Sequence, residues 1–137
     1  MTDPQTALLD LLAGMDEMRR FDHLLDMAFA AGDAVDASLC RPENVFRGCQ
    51  STLWLGMAVE DGVLRLRCDS DALLVKALAR FVCSLSDGLP PADAVRVEAH
   101  FFHSPLLEHI VSRETRTGLA RLAEAIRMFA QKSVLGE

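Results

Sequence analysis

The chain has 137 residues, of which half are hydrophobic and a quarter are charged, and its formal net charge is −6. This size and composition are typical of one soluble globular domain, which we predict to span residues 1–137. An acidic chain without a basic run is a poor nucleic-acid binder, because phosphate contacts need a basic surface. No apolar stretch reaches the length of a membrane span, and residues 1–4 lack the features of a signal peptide. We therefore expect a cytoplasmic protein that binds neither membranes nor nucleic acids.

The first part of the chain is predicted to be helical. Asp3-Pro4 forms a good helix start, and leucines at helical spacing follow until Gly14 ends the helix. A second helix is predicted from about Asp16 to Gly32. Residues 33–43 should then form a connecting loop.

Beyond residue 44 the apolar periodicity becomes strand-like. Val45 is predicted to belong to a short first strand, and residues 52–59 to a second. Residues 63–68 alternate apolar and charged side chains, which is typical of a half-buried third strand. Asp61-Gly62 between the last two strands is a strong hairpin signal.

Helices are predicted to follow the strands. Asp69 and Asp71 directly precede an apolar helical run over residues 73–85, so capping is favoured over a role as paired acid–base carboxylates. The segment from residue 95 to 102 is compatible with strand or helix, and two helices are predicted near residues 106–110 and 114–131. The order of elements predicts an α+β fold, with a small three-stranded antiparallel sheet packed against helices at both chain ends.

The chain contains four cysteines, Cys40, Cys49, Cys68 and Cys83. No Cys-x-x-Cys pair or neighbouring histidine provides a zinc ligand set, and a reducing cytoplasm keeps thiols free. We therefore expect no metal. The sequence also shows no Gly-rich phosphate loop and no Schiff-base lysine context, so no cofactor is expected. Cys68 lies on the predicted inward face of a strand and Cys83 in an apolar helix, so both should pack as small hydrophobic side chains. Cys40 lies in a loop without a surrounding motif.

Cys49 has a different setting from the other three. Gly48 before it permits a bend, so that Cys49 can be presented at the tip of a loop that leads into a strand. Arg47 is the nearest candidate for lowering the pKa of the Cys49 thiol, and the alternative is an exposed loop charge without a defined partner. Gln50 is a candidate for hydrogen bonding to the loop backbone or to a sulfur species on Cys49.

Residues 44–55 resemble the signature of the SufE family of sulfur-acceptor proteins: Asn44-x-x-x-Gly48-Cys49-Gln50-Ser51-x-x-Trp54-Leu55. Residues 69–78 resemble a second family segment: Asp69-Ser70-Asp71-Ala72-x-x-Val75-Lys76-x-Leu78. The resemblance extends from about Arg20 to Phe129. It implies a fold shared with IscU-type scaffolds, with Cys49 on the loop between the first two strands.

The resemblance also implies a function. A pyridoxal-phosphate (PLP)-dependent cysteine desulfurase of the SufS type would transfer persulfide sulfur onto Cys49. The protein would stimulate that enzyme and pass the sulfur to an iron–sulfur scaffold complex of the SufBCD type. It would act as a monomer or a homodimer, without a cofactor and without independent turnover.

Two alternative functions remain open. An IscU-like iron–sulfur scaffold would need several cysteines that converge on one metal site. A cysteine hydrolase would need a histidine base beside Cys49, and the sequence identifies none.

The chain departs from the family at its C-terminal motif, which often reads Ser-Pro-x-Arg-x-x-Gly-Leu. Here the corresponding stretch is Ser112-Arg113-Glu114-Thr115-Arg116-Thr117-Gly118-Leu119. Thr115 therefore stands where the family has an arginine. Either Arg113 or Arg116 takes over the role of that arginine, or the role is absent.

Overall fold

The fold is described from a computed structural model, for residues 3–30, 37–48 and 51–136. These ranges contain five α-helices and two β-strands: α1 (Pro4–Ala13), α2 (Glu17–Ala30), β1 (Leu53–Glu60), β2 (Val63–Ser70), α3 (Leu73–Ser84), α4 (Pro91–Ala94) and α5 (Arg113–Val134). Short 3-10 turns lie at Pro42–Asn44, Phe101–His103 and Pro105–Leu107. The predicted α+β class is confirmed. Of the helices in the described ranges, none combines the length and apolar character that crossing a membrane requires.

The two N-terminal helices begin where the sequence predicts. The Asp3 carboxylate accepts a hydrogen bond from the Thr6 N–H (3.2 Å), and Gly14 follows the last residue of α1. Asp16 precedes α2, and its carboxylate accepts from the Arg19 N–H at 2.9 Å. Local polar caps therefore set these starts. The predicted end of α2 at Gly32 lies outside the described residues.

The β1–β2 hairpin is formed as predicted. The strands pair antiparallel from Leu53 opposite Ser70 to Glu60 opposite Val63. Asp61 and Gly62 connect them with φ values of 54° and 79°. Positive φ at both central residues matches the right-handed twist of the strands, which explains the Asp-Gly pair.

The predicted first strand is reduced to one bridge, so the prediction of three strands is wrong for the described residues. Val45 makes an isolated antiparallel bridge with Trp54. The 3-10 turn at Pro42–Asn44 ends immediately before Val45, and a turn begins at Arg47. These two turns leave too few extended residues for a longer ladder.

The core lies on one face of the hairpin. Leu64, Leu66 and Cys68 are buried, whereas Arg65 and Arg67 are exposed, which confirms the predicted alternation along β2. Helix α3 packs against β2, α2 and α5, and it is therefore the central helix of the fold. On the other face of the sheet, an added Cβ at Gly56 would lie 3.1 Å from the buried side chain of Leu39.

Residues 95–102, which are compatible with strand or helix in the sequence, form neither a strand nor an α-helix. The prediction of a helix near residues 106–110 is wrong, because only the 3-10 turn at Pro105–Leu107 forms there. Apart from its 3-10 turns, the segment between α4 and α5 is irregular, and the buried side chain of Gln5 holds it in place. The amide oxygen of Gln5 accepts from the N–H groups of His100 (2.8 Å) and Phe101 (3.0 Å), and its amide nitrogen donates to the Glu98 carbonyl at 2.7 Å. One side chain thus pairs three backbone groups that have no ladder or helix partner.

Candidate functional site

The candidate site is the loop of residues 47–52, which leads from the Val45 bridge into β1. The Phe46 N–H donates to the Leu53 carbonyl at 2.7 Å, and this bond closes the base of the loop. Cys49 and Gln50 lie outside the described residues, so the predictions of an acceptor thiol and of a Gln50 hydrogen bond stay predictions. The residues on either side of them define the surroundings of the site.

Gly48 is needed for space at this position. An added Cβ would lie 2.8 Å from the Phe46 ring and 3.2 Å from the Arg121 Cβ, which is closer than van der Waals contact. Its backbone is not in the left-handed region, which among the described glycines is occupied by Gly62, Gly88 and Gly136. The sequence therefore singles out the right residue, but the reason is close packing against the Phe46 ring and against Arg121 of α5 rather than an unusual bend.

Arg121 is the arginine that contacts the loop from α5. Its Nη1 donates to the Gly48 carbonyl at 3.4 Å. Arg47 is exposed, and neither Arg113 nor Arg116 has a hydrogen bond or ion pair with any described residue of the loop. Sequence reasoning missed Arg121 because its importance depends on where α5 passes the hairpin. No local motif marks it.

The other end of the loop is tied to the connection between β2 and α3. The buried Ser70 hydroxyl donates to the Thr52 carbonyl at 2.6 Å and accepts from the Ala72 N–H at 3.2 Å. Ser70 is also the ladder partner of Leu53. The two segments that resemble the family signature, residues 44–55 and 69–78, therefore meet in space at the base of the loop.

A buried ion pair lies beside this connection. Asp69 is 0% exposed and Lys76 1%, and Lys76 Nζ lies 3.2 Å from Asp69 Oδ1. Arg80 Nη2 lies 3.7 Å from Asp69 Oδ2, and the Ser70 N–H donates to Oδ1 at 2.8 Å. The carboxylate is thus compensated by two cations and one backbone donor, as a buried charge requires.

The predicted capping by Asp69 and Asp71 is wrong. The residue that precedes α3 is Ala72, and no side chain caps that helix end. Asp69 still belongs to β2, and its carboxylate faces Lys76 and Arg80, which lie one turn from each other on α3. A cap would have to lie next to the first helical residue, and Asp69 is too early in the chain for that geometry.

The cysteines that the structure describes are poorly suited to react. Cys68 and Cys83 are each 5% exposed, which confirms that they pack in the core. A hydrogen bond with the Cys68 thiol, together with burial, raises the pKa of Cys83 well above its ordinary value. Cys40 is half-buried. Among the described residues, no group of three histidine, cysteine or acidic side chains could hold a metal ion.

The fold and the loop define an α+β protein with a cysteine-bearing loop at one end of a small antiparallel sheet. Its fold is similar to that in the solution structure of a hypothetical protein from Thermus thermophilus, with a TM-score of 0.73 and 22% sequence identity. The match covers 98% of this chain and 99% of that chain. Residues 6–130 match the family model SufE, described as an Fe-S metabolism associated domain, so the chain belongs to the SufE family. This confirms the resemblance found in the sequence and implies a role in iron–sulfur metabolism.

Proposed function

We propose that the protein accepts persulfide sulfur on Cys49 from a PLP-dependent cysteine desulfurase, stimulates that enzyme, and delivers the sulfur to an iron–sulfur scaffold complex. The observation that carries this proposal is that the described residues on either side of Cys49 are anchored, Gly48 by Arg121 and Thr52 by Ser70, in a chain of the SufE family. The family match over residues 6–130 also supports one SufE-like domain over residues 1–137.

The reaction is a persulfide transfer. The Cys49 thiolate attacks the terminal sulfur of the persulfide on the desulfurase cysteine. The sulfur–sulfur bond within that persulfide breaks, and its electron pair leaves with the desulfurase thiolate. Cys49 then carries the persulfide, and no external oxidant or reductant is consumed. Attack by a scaffold cysteine on the terminal sulfur repeats the same exchange and regenerates the Cys49 thiol.

The environment of the other thiols supports Cys49 as the acceptor. Transfer requires a thiolate that a partner protein can reach. Cys68 and Cys83 lie in the core, and the raised pKa of Cys83 reduces its thiolate fraction at neutral pH. Cys40 is half-buried and lies outside the loop.

The experiment is an intact-mass measurement after incubation with a cysteine desulfurase and free cysteine under anaerobic conditions. We expect the wild-type chain to gain the mass of one sulfur atom and Cys49→Ser to gain none. Cys40→Ser is the matched control and should gain sulfur like the wild type. A desulfurase that turns over normally while the wild-type chain gains no sulfur would refute the proposal.

A scaffold role gives a different result. Anaerobic reconstitution with iron and sulfide would then yield a stable cluster at a fixed ratio to the protein. We expect no such cluster, because the described residues offer no group of three ligands to which Cys49 would add. A stable stoichiometric cluster that is lost in Cys49→Ser would overturn the acceptor proposal in favour of an IscU-like scaffold.

A further inference from the structure

We propose that Arg121 positions the loop that carries Cys49 and supplies the positive charge that favours the Cys49 thiolate. The inference rests on the proposed function of Cys49, and it names a residue that neither family segment contains. It assigns to one side chain on α5 both an anchoring and an electrostatic role.

The anchoring role follows from two contacts with Gly48. Arg121 Nη1 lies 3.4 Å from the Gly48 carbonyl oxygen, while the Arg121 Cβ lies 3.2 Å from the position that a Gly48 Cβ would occupy. Both ends of the arginine side chain therefore lie against the same residue. The Gly48 carbonyl belongs to the peptide bond that joins Gly48 to Cys49, and successive Cα atoms are about 3.8 Å apart. The guanidinium group thus binds the carbonyl that directly precedes Cys49 in the chain.

The electrostatic role depends on whether a neighbouring carboxylate neutralises Arg121. Glu124 lies one turn further along α5, but both of its oxygens bind Arg127, at 2.7 and 3.0 Å. This pairing lowers the pKa of Glu124 and leaves its charge directed toward Arg127. Within the described part of the chain, Arg121 makes no ion pair of its own.

The charges on the other elements near the loop lead to the same conclusion. On the β2–α3 side, Asp69 is buried against Lys76 and Arg80, and these two cations compensate its negative charge. On the loop itself, Arg47 is exposed and makes no hydrogen bond to a described residue. Asp71 in the β2–α3 connection is exposed, so water screens its charge. Arg121 is the cation that a hydrogen bond holds against the loop backbone.

The size of the effect follows from the exposure of Arg121. A cation a few ångströms from an anion at an exposed site stabilises the anion modestly, because water screens the interaction. We expect Arg121→Gln to raise the Cys49 thiol pKa by about half a unit, which corresponds to a roughly threefold slower alkylation at neutral pH. Arg121→Lys keeps the charge but loses the guanidinium geometry, so it should restore part of the effect.

The test measures the rate of iodoacetamide alkylation of Cys49 against pH, by mass spectrometry, in a Cys40→Ser background. Lys132→Gln removes a cation from the far end of α5 and should leave the profile unchanged. A profile for Arg121→Gln that coincides with the wild type, or a shift of equal size in Lys132→Gln, would overturn the proposal. A shift in Arg116→Gln without one in Arg121→Gln would also overturn it, because another arginine would then act on the thiol.

This readout needs no desulfurase, so it separates the two proposals. If Arg121→Gln shifts the alkylation profile and the wild-type chain gains no sulfur, the role of Arg121 is supported and the acceptor function is refuted. If the wild-type chain gains sulfur and Arg121→Gln leaves the profile unshifted, the acceptor function is supported and the role of Arg121 is refuted. Circular dichroism and thermal unfolding of each variant confirm that the fold is retained before the profiles are compared.

Discussion

Replacing Lys76 by methionine should destabilise the protein strongly, because it leaves the Asp69 carboxylate buried without its closest cation. Removing one partner of a buried ion pair costs about 3–5 kcal/mol. In this case Asp69 keeps the Ser70 N–H at 2.8 Å and Arg80 at 3.7 Å, so we expect the lower end, about 3 kcal/mol. Methionine fills much of the volume of the lysine stem, which limits any cavity contribution.

The assay is urea unfolding followed by circular dichroism. The dependence of the unfolding free energy on urea concentration should be the same in all variants, as a common two-state transition requires. The double variant Asp69→Asn/Lys76→Met removes both charges, and it should cost less than the sum of the single variants by about 2 kcal/mol. Arg127→Met breaks the Glu124–Arg127 pair, whose side chains are 57% and 36% exposed. That exposed pair is the control, and its loss should move the midpoint far less.

Two outcomes would refute this reasoning about burial. The first is a midpoint for Lys76→Met no lower than that for Arg127→Met, since burial would then not matter. The second is strict additivity in the double variant, since the two side chains would then not interact. Either result would remove the ion pair as the support of the β2–α3 connection.

Three further predictions follow from other contacts. Gly48→Ala should lower the unfolding free energy, measured by urea unfolding, by about 1–2 kcal/mol, because the added methyl group crowds the Phe46 ring. Adding Phe46→Leu to the same chain should restore part of that free energy, and no restoration would contradict the packing argument. Gln5→Met keeps the side-chain volume but leaves the Glu98 carbonyl and the N–H groups of His100 and Phe101 without their partner, so the unfolding free energy should fall by about 2–4 kcal/mol. Hydrogen exchange of the His100 and Phe101 amides should become faster, and unchanged exchange would contradict the prediction. The pKa of Cys83 is raised in the folded chain, so the unfolded chain loses this proton first as pH rises. The contribution of Cys83 to the unfolding free energy is therefore full below about pH 8.5 and falls above it, by up to about 1.4 kcal/mol per pH unit. Unfolding measured across pH should show that decline in the wild type and a weaker one in Cys83→Ala; equal declines would rule out the assignment.

Features that depend on neighbouring residues could be predicted from the sequence. The helix start at Asp3 and the hairpin at Asp61-Gly62 are encoded by side chains within a turn of the feature itself. The family resemblance located the cysteine loop through a short motif that surrounds Cys49. In each case the determining residues are contiguous in the chain.

Features that depend on tertiary packing could not be predicted in this way. An aspartate before an apolar helical run has the pattern of a cap, and only the packing of α3 on β2 shows that Asp69 faces Lys76 and Arg80. Two basic residues at i and i+4 in an otherwise apolar helix were the available signal for a buried acidic partner. The contact of Arg121 with Gly48 joins residues far apart in the chain, and no periodicity or motif contains that information.

The anchoring of the loop limits how its chemistry could be transferred to another molecule. A synthetic peptide of residues 44–55 would contain the complete signature but would lack the hydroxyl of Ser70 and the guanidinium of Arg121, which bind the two ends of the loop. Such a peptide should behave as an ordinary free thiol. A designed sulfur carrier would need the hairpin, Ser70 from the end of β2 and Arg121 from α5 together, so its smallest transferable unit extends from the loop to α5.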